Sequence, residues 1–278
     1  MYRYHRCIAQ ARKKEAQGDL EAALELLDEA KRWFDYRTPL PDLRPIAAMK
    51  TQVWIRQDRL AEAWDWAREQ GLSVADELSY LHEFEHITLA KILIAQYQKE
   101  GQEGSIHEAM GLLKRLLKAA EEGARMKSVI EILVAQALAY QALDDIPSAL
   151  ASMERALTLA EPEGFVRIFL KEGPRMATLL REVAKQGLAP NYVSRLEATF
   201  EKVGSGKPIT QPLIDPLSGR ELEVLKLLAT DLSGPEIAAE LMVSPNTMRT
   251  HTKSIYSKLG VHNRRAAVRR ANELDLLK

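Results

Sequence analysis

The stretch DLEAALELLDEA, residues 19–30, sets an apolar residue, two spacers, an alanine and a larger apolar residue in a row. The same outline returns in RLAEAWDWAREQ (59–70), SIHEAMGLLKRL (105–116) and DIPSALASMERA (145–156). The alanine and its larger neighbour are Ala23-Leu24, Ala63-Trp64, Ala109-Met110 and Ala149-Leu150. The starting residues Leu20, Leu60, Ile106 and Ile146 lie 40, 46 and 40 positions apart. The alanine admits a neighbouring helix at close range, and the larger residue is expected to fill the remaining gap. A helix pair recurring at this period cannot bury its apolar face alone, so successive pairs must stack.

Around these segments, residues 1–203 are rich in Ala, Leu, Glu, Lys and Arg and lack alternating β-branched runs, which predicts helix almost throughout. The pattern resembles tetratricopeptide repeats, slightly longer than usual. An irregular helical bundle is the alternative that four recurrences of one register argue against. A stacked array exposes a concave surface suited to an effector or a partner protein. All four tryptophans, Trp33, Trp54, Trp64 and Trp66, fall early, either as core filling or as a stacking face. The chain enters a repeat without a polar capping helix, so a longer protein is expected upstream.

A length of 278 residues favours two domains. Lys plus Arg equals Asp plus Glu at 39 each, so bulk charge names no partner. Cys7 is the single cysteine, which excludes a disulfide framework and a cysteine-rich zinc site. No apolar run spans a bilayer and no signal peptide opens the chain, so no membrane contact and a reducing, cytoplasmic setting are expected. Strands alternating with helices are not visible, which argues against a receiver domain or an acyl-homoserine-lactone domain.

Two motifs invite chemistry. HEFEH (82–86) matches H-E-x-x-H, with His82 and His86 one helical turn apart and Glu83 as a general base. A zinc hydrolase would also need a third ligand, for which only Glu103 and Glu108 are near, and a strand edge to align substrate. Two polar positions on a repeat helix from about Leu78 to Lys99 are the plainer expectation. GSGKP (204–208) ends like a phosphate-binding loop, but Glu201 stands where a glycine is needed and Pro208 where Ser or Thr would bind magnesium. With its glycines and prolines, 204–216 is expected to be an interdomain linker.

Residues 217–278 carry explicit helix boundaries. Ser218 with Glu221, and Ser233 with Glu236, make capping boxes, and Pro235 sits in the first turn of the second helix. Ser244-Pro245 opens a third helix that Gly260 closes, and a fourth runs from about Arg264 to Leu274. The short second-to-third connection has helix-turn-helix spacing. On the third helix, Met248, Thr252, Ile255 and Leu259 fall within about 60° and form the buried stripe. The far side carries Asn246, Thr250, Lys253 and Ser257 with Arg249 on its flank, side chains suited to base edges in a major groove. Lys258 and His251 lie on the other flank, nearer a phosphate strand. From Pro216 onward there are 10 Lys/Arg against 7 Asp/Glu.

The segment LSGRELEVLKLLATDLSGPEIAAELMVSPNTMRTHTKSIYSKLGVHNRRAAVRRANELDLL resembles the LuxR/GerE-type DNA-binding domain over its full length, through Arg220-Glu221, Glu236-Ile237-Ala238, Val243-Ser244, Asn246-Thr247, His251, Lys258-Leu259, Asn263-Arg264 and Ala267 among others. The resemblance implies that Arg249, Thr250 and Lys253 contact bases and that Ser244, Thr247, Lys258 and Arg264 contact the DNA backbone. It further implies dimerisation through the last helix, for which Ala267, Val268 and Ala271 are the candidates. Asp231, Pro235 and Met248 depart from the family pattern without touching the base-reading set. LSYLHEFEHITLAKILIA and ALTLAEPEGFVRIFLKEG resemble the repeat region of the large ATP-binding, MalT-like LuxR regulators. That likeness implies ATP on a domain outside this sequence and no cofactor within it. The expectation is therefore an all-α chain, a tetratricopeptide-like array (1–203) followed by a four-helix LuxR-type helix-turn-helix domain (217–278). It would be a non-enzymatic transcriptional regulator that binds double-stranded DNA as a homodimer, with an effector or protein partner on the repeats and RNA polymerase as a further partner. The alternative is a repeat scaffold with little DNA affinity.

Overall fold

A computed structural model describes residues 2–33, 45–204, 217, 219–230, 232–259, 261, 263–273 and 276–277. Every regular element among them is a helix. The chain divides into two compact units, residues 1–159 with 167–209, and residues 160–166 with 210–278. The expected linker, 204–216, lies almost wholly outside the described residues, as do Ser218, Asp231 and Gly260.

The first unit begins with helical hairpins: α1 (Tyr2–Ala16) with α2 (Leu20–Arg32), α3 (Ile46–Arg56) with α4 (Leu60–Glu69), and α5 (Glu83–Glu100) with α6 (Glu103–Glu122). It continues through α7 (Met126–Ala142), α8 (Ile146–Ala160), the single turn α9 (Arg167–Leu170), α10 (Pro174–Lys185) and α11 (Pro190–Gly204). Each connection within the first three hairpins, and the one from α7 to α8, reverses through one left-handed residue: Gly18 (φ 77°), Asp58 (φ 60°), Gly101 (φ 69°) and Asp144 (φ 59°). Asp19 and Asp145 then accept backbone N–H groups of the helix that follows, from Ala22 and Ser148. Such caps occupy donors that the first turn leaves unpaired.

All four repeat alanines, Ala23, Ala63, Ala109 and Ala149, are buried. Their larger neighbours do not fill the gap uniformly: Leu24 is buried, but Trp64, Met110 and Leu150 are half-exposed. The buried partners are Leu27, Ala67, Leu113 and Met153, each four residues beyond the alanine. An adjacent residue is turned 100° off the contact face, whereas one at i+4 returns to it. The tryptophans separate in the same way. Trp66 belongs to the core, while Trp33 is exposed beneath the Arg3 guanidinium, 4.6 Å from the ring centre.

One further expectation shifts. The helix expected from Leu78 starts at Glu83, because residues 72–82 form turns and bends. The odd-numbered helices also share a polar interior. Glu15 of α1 pairs with Arg56 of α3 (3.8 Å), and Glu131 of α7 pairs with Lys171 (3.3 Å). Lys91 of α5 pairs with Glu172, in the turn after α9. Gly173 closes that turn at φ 74° and ψ −155°, a conformation essentially reserved for glycine.

The second unit contains α12 (Gly219–Leu228), α13 (Gly234–Glu240), α14 (Pro245–Leu259) and α15 (Arg264–Glu273). Leu217, Val224, Leu225, Leu228, Ile237, Ala238, Met248, Ile255, Leu259, Ala267 and Ala271 form its core.

Candidate nucleic-acid interface

The interface is built by a helix, a tight turn and a second helix. Ser233 and Glu236 form the expected capping box of α13, and the Glu236 carboxylate accepts the Ser233 backbone N–H at 2.7 Å. The Ser233 side chain, and after it this backbone bond, hold the Glu236 carboxyl below its ordinary range. At the other end, the Met242 N–H reaches the Ala239 carbonyl (3.0 Å) and the Val243 N–H reaches the Ala238 carbonyl (2.9 Å). This is a Schellman ending, with Met242 in the left-handed position (φ 52°) that usually takes glycine. Ser244 then starts α14, its Oγ accepting the Thr247 N–H at 3.1 Å and sharing a 2.8 Å bond with Thr247 Oγ1.

Along α14, Met248, Ile255 and Leu259 are buried as the wheel requires, and Thr252 is half-buried with its hydroxyl bonded back to the Met248 carbonyl (2.9 Å). Thr247, Arg249, Thr250 and Lys253 are exposed. The helix contains no acidic residue. The side chains of Asn246 and Ser257 lie outside the described residues.

Lys258, Arg264, Ala267 and Ala271 are engaged inside the unit. Lys258 turns inward. Its ammonium donates to Glu221 Oε2 at 2.6 Å with both side chains largely buried. Arg264 is likewise occupied, donating to the carbonyls of Leu228 (2.8 Å), Thr230 (2.6 Å) and Leu232 (2.6 Å). These acceptors lie at and beyond the end of α12, where a helix leaves its carbonyls unpaired and favours a cation. Ala267 and Ala271 are fully buried in the unit's own core, so they present no surface to a second copy. Only Val268 remains half-exposed, in a groove with Leu228, Ala229, Arg265, Arg269 and Asn272.

Sequence reasoning missed the inward roles of Glu221 and Ser254. Ser254 Oγ donates to Glu221 Oε1 at 2.6 Å, so one carboxylate holds two residues of α14. The available signal was spacing: Ser254 and Lys258 are four apart on one side of the helix, on the flank between the buried stripe and the exposed face.

The HEFEH motif is differently disposed from a metal site. His82 precedes α5 and its Nδ1 lies 2.8 Å from Glu85. His86 is buried, with Nδ1 2.9 Å from the His82 carbonyl oxygen and Nε2 3.1 Å from Asp76. Glu83 accepts two N–H groups from Arg125, at 2.8 and 2.6 Å. The two histidines therefore diverge into separate hydrogen bonds instead of converging on one point. Among the described residues no group of three His, Cys, Asp or Glu side chains is arranged to hold a metal ion, and no helix is long and apolar enough to cross a membrane.

Comparison with known proteins adds two family matches. Residues 5–186 match the MalT-like TPR region, and residues 215–271 match the bacterial regulatory proteins of the luxR family. The chain is 26% identical over 243 residues to the HTH-type transcriptional regulator MalT of Serratia proteamaculans, covering 80% of this chain and 26% of that protein. It is 32% identical over 140 residues to the protein of the same name from Yersinia pestis strain Pestoides F, covering 43% of this chain and 16% of that one. The chain thus spans about a quarter or less of the length of these curated relatives. No solved structure matches it.

Proposed function

Because the chain belongs to the family with a MalT-like TPR region and carries a luxR-type module at residues 215–271, we propose that it is a DNA-binding transcriptional regulator. The observation that carries the proposal is α14. Its inner side is fixed by Met248, Ile255 and Leu259, while its outer side exposes Arg249, Thr250 and Lys253 with no acid to repel phosphate. In this reading α14 enters the major groove, and Arg249, Thr250 and Lys253 meet base edges. Ser244 and Thr247, exposed at the start of α14, face the phosphate strand, where the positive end of the helix dipole favours an anion. Lys258 and Arg264 hold the module together instead of touching DNA. Two copies assemble on DNA, with the groove around Val268 as the contact. The helical array carries effector or partner recognition.

Selection of a random duplex pool with the full chain tests the reading. The pool should enrich one sequence, which then serves as the specific probe beside a scrambled duplex of the same composition. Arg249→Ala should weaken binding to the enriched duplex by roughly 1–3 kcal/mol and relax preference at one position. Failure to enrich any sequence, with no salt-dependent binding, would favour the scaffold alternative.

A further inference from the structure

Glu221 lies in the first turn of α12 with its side chain only 6% exposed. Its two oxygens are divided between two residues of α14: Oε1 accepts from Ser254 and Oε2 from Lys258, each at 2.6 Å. Ser254 and Lys258 are one turn apart on the same side of the helix. A single bond would leave α14 free to swivel about the contact. Two bonds to one rigid carboxylate fix both its rotation and its axial position.

The apolar stripe does not supply that precision alone. Hydrophobic contact is non-directional, and apolar cores tolerate small rearrangements. Charge-assisted bonds to a carboxylate are short and directional. The distinction matters because the exposed set sits on the same helix. At a radius of roughly 6 Å from the axis, a 20° rotation moves an atom by about 2 Å. Such a shift is enough to break a hydrogen bond to a base edge.

We propose that Glu221, acting through Ser254 and Lys258, is a positioning residue that sets the base preference of α14 while touching no DNA itself. The inference rests on the reading of α14 as the groove-entering helix. It also gives Lys258 a different chemistry from a phosphate contact, since its charge is matched inside the module.

The test compares full-length wild type with Glu221→Gln, Ser254→Ala, Lys258→Met and Lys258→Arg. Fluorescence anisotropy on the enriched and scrambled duplexes at several salt concentrations gives two readouts, the affinity ratio and the salt slope. Glu221→Gln should lower the enriched-to-scrambled ratio by about tenfold, in the range of one lost base contact. Ser254→Ala should lower the ratio in the same direction. Neither variant should reduce the salt slope on the scrambled duplex. Lys258→Met should also lower the ratio at an unchanged slope, whereas Lys258→Arg, which keeps the ion pair, should stay near wild type. Ser254→Ala removes one grip without leaving a buried charge unpaired, so it decides the matter if Glu221→Gln fails to fold by circular dichroism. A wild-type ratio in folded Glu221→Gln and Ser254→Ala would overturn the inference while leaving DNA reading intact. So would Lys258→Met that weakens both duplexes equally and lowers the slope by about one unit, the mark of a phosphate contact. Equal wild-type affinity for the two duplexes would overturn the DNA reading itself and this inference with it.

Discussion

Met242 is 93% exposed and holds a left-handed backbone conformation at the end of α13. Its side chain contributes almost no burial, while its Cβ crowds the following carbonyl in that conformation. Met242→Gly should therefore relieve strain at a helix end where glycine is the usual residue, raising stability by up to about 1 kcal/mol. Thermal melting of the full chain should show the transition that reports the second unit moving upward. An unchanged or lower melting temperature would mean that the turn is not under strain. The same residue-scale logic separates Arg249 from Arg264. Both are arginines near the module's surface, but one is exposed on α14 and the other has its donors spread over four carbonyls. Position in the sequence does not distinguish them; the presence of unpaired carbonyls at the end of α12 does.

Among the helices, the repeat alanines mark where neighbours approach, and the residue four positions on completes the packing. Ala109 is fully buried with Leu113 beside it on the same face, so added methyl groups have no space to enter. Ala109→Leu should overpack that junction and cost roughly 1–3 kcal/mol. Met110→Leu, at a half-exposed site, should be close to neutral. Denaturant melts of the two variants check the contrast. Equal stability would place the close approach elsewhere on α6. Periodicity identified the repeat and the alanine correctly, because both are local properties. It misassigned the gap-filling residue, because that depends on which side of each helix meets the next.

At the scale of the whole molecule, the first unit joins distant parts of the sequence through charge. Glu15 is surrounded by Arg56, Lys171, Glu172 and Lys91. Burial pushes its carboxyl above the ordinary 4.5, although Arg56 opposes the shift. Burial likewise lowers the Lys91 ammonium below 10.5, opposed by Glu172. For Glu15, a folded-state pKa above the unfolded value means that its contribution is fully present below about pH 4.5 and is lost as pH rises through the raised value. The ionised carboxylate is therefore a net burden near neutrality. Glu15→Gln should melt higher than wild type at pH 8, and the difference should vanish by pH 4. A variant that is less stable at pH 8 would show that the Arg56 pair outweighs the desolvation of the carboxylate.

Several features of this protein were determined by the sequence alone. Helix content, the recurring alanine, the capping box at Ser233, the start of α14 at Ser244 and its buried stripe at Met248, Ile255 and Leu259 all follow from interactions within a few residues. Such interactions repeat at the helical period and can be read without knowing what lies across the core. The tertiary structure decided the rest. It turned Lys258 inward to Glu221, engaged Arg264 with carbonyls some thirty positions away, buried Ala267 and Ala271, and sent the HEFEH histidines to different partners. A charged or small side chain on a helix flank suits both water and a neighbouring element. Which one it meets is fixed only when a distant segment supplies a buried partner or covers the face, because desolvation makes an unpaired polar group costly there.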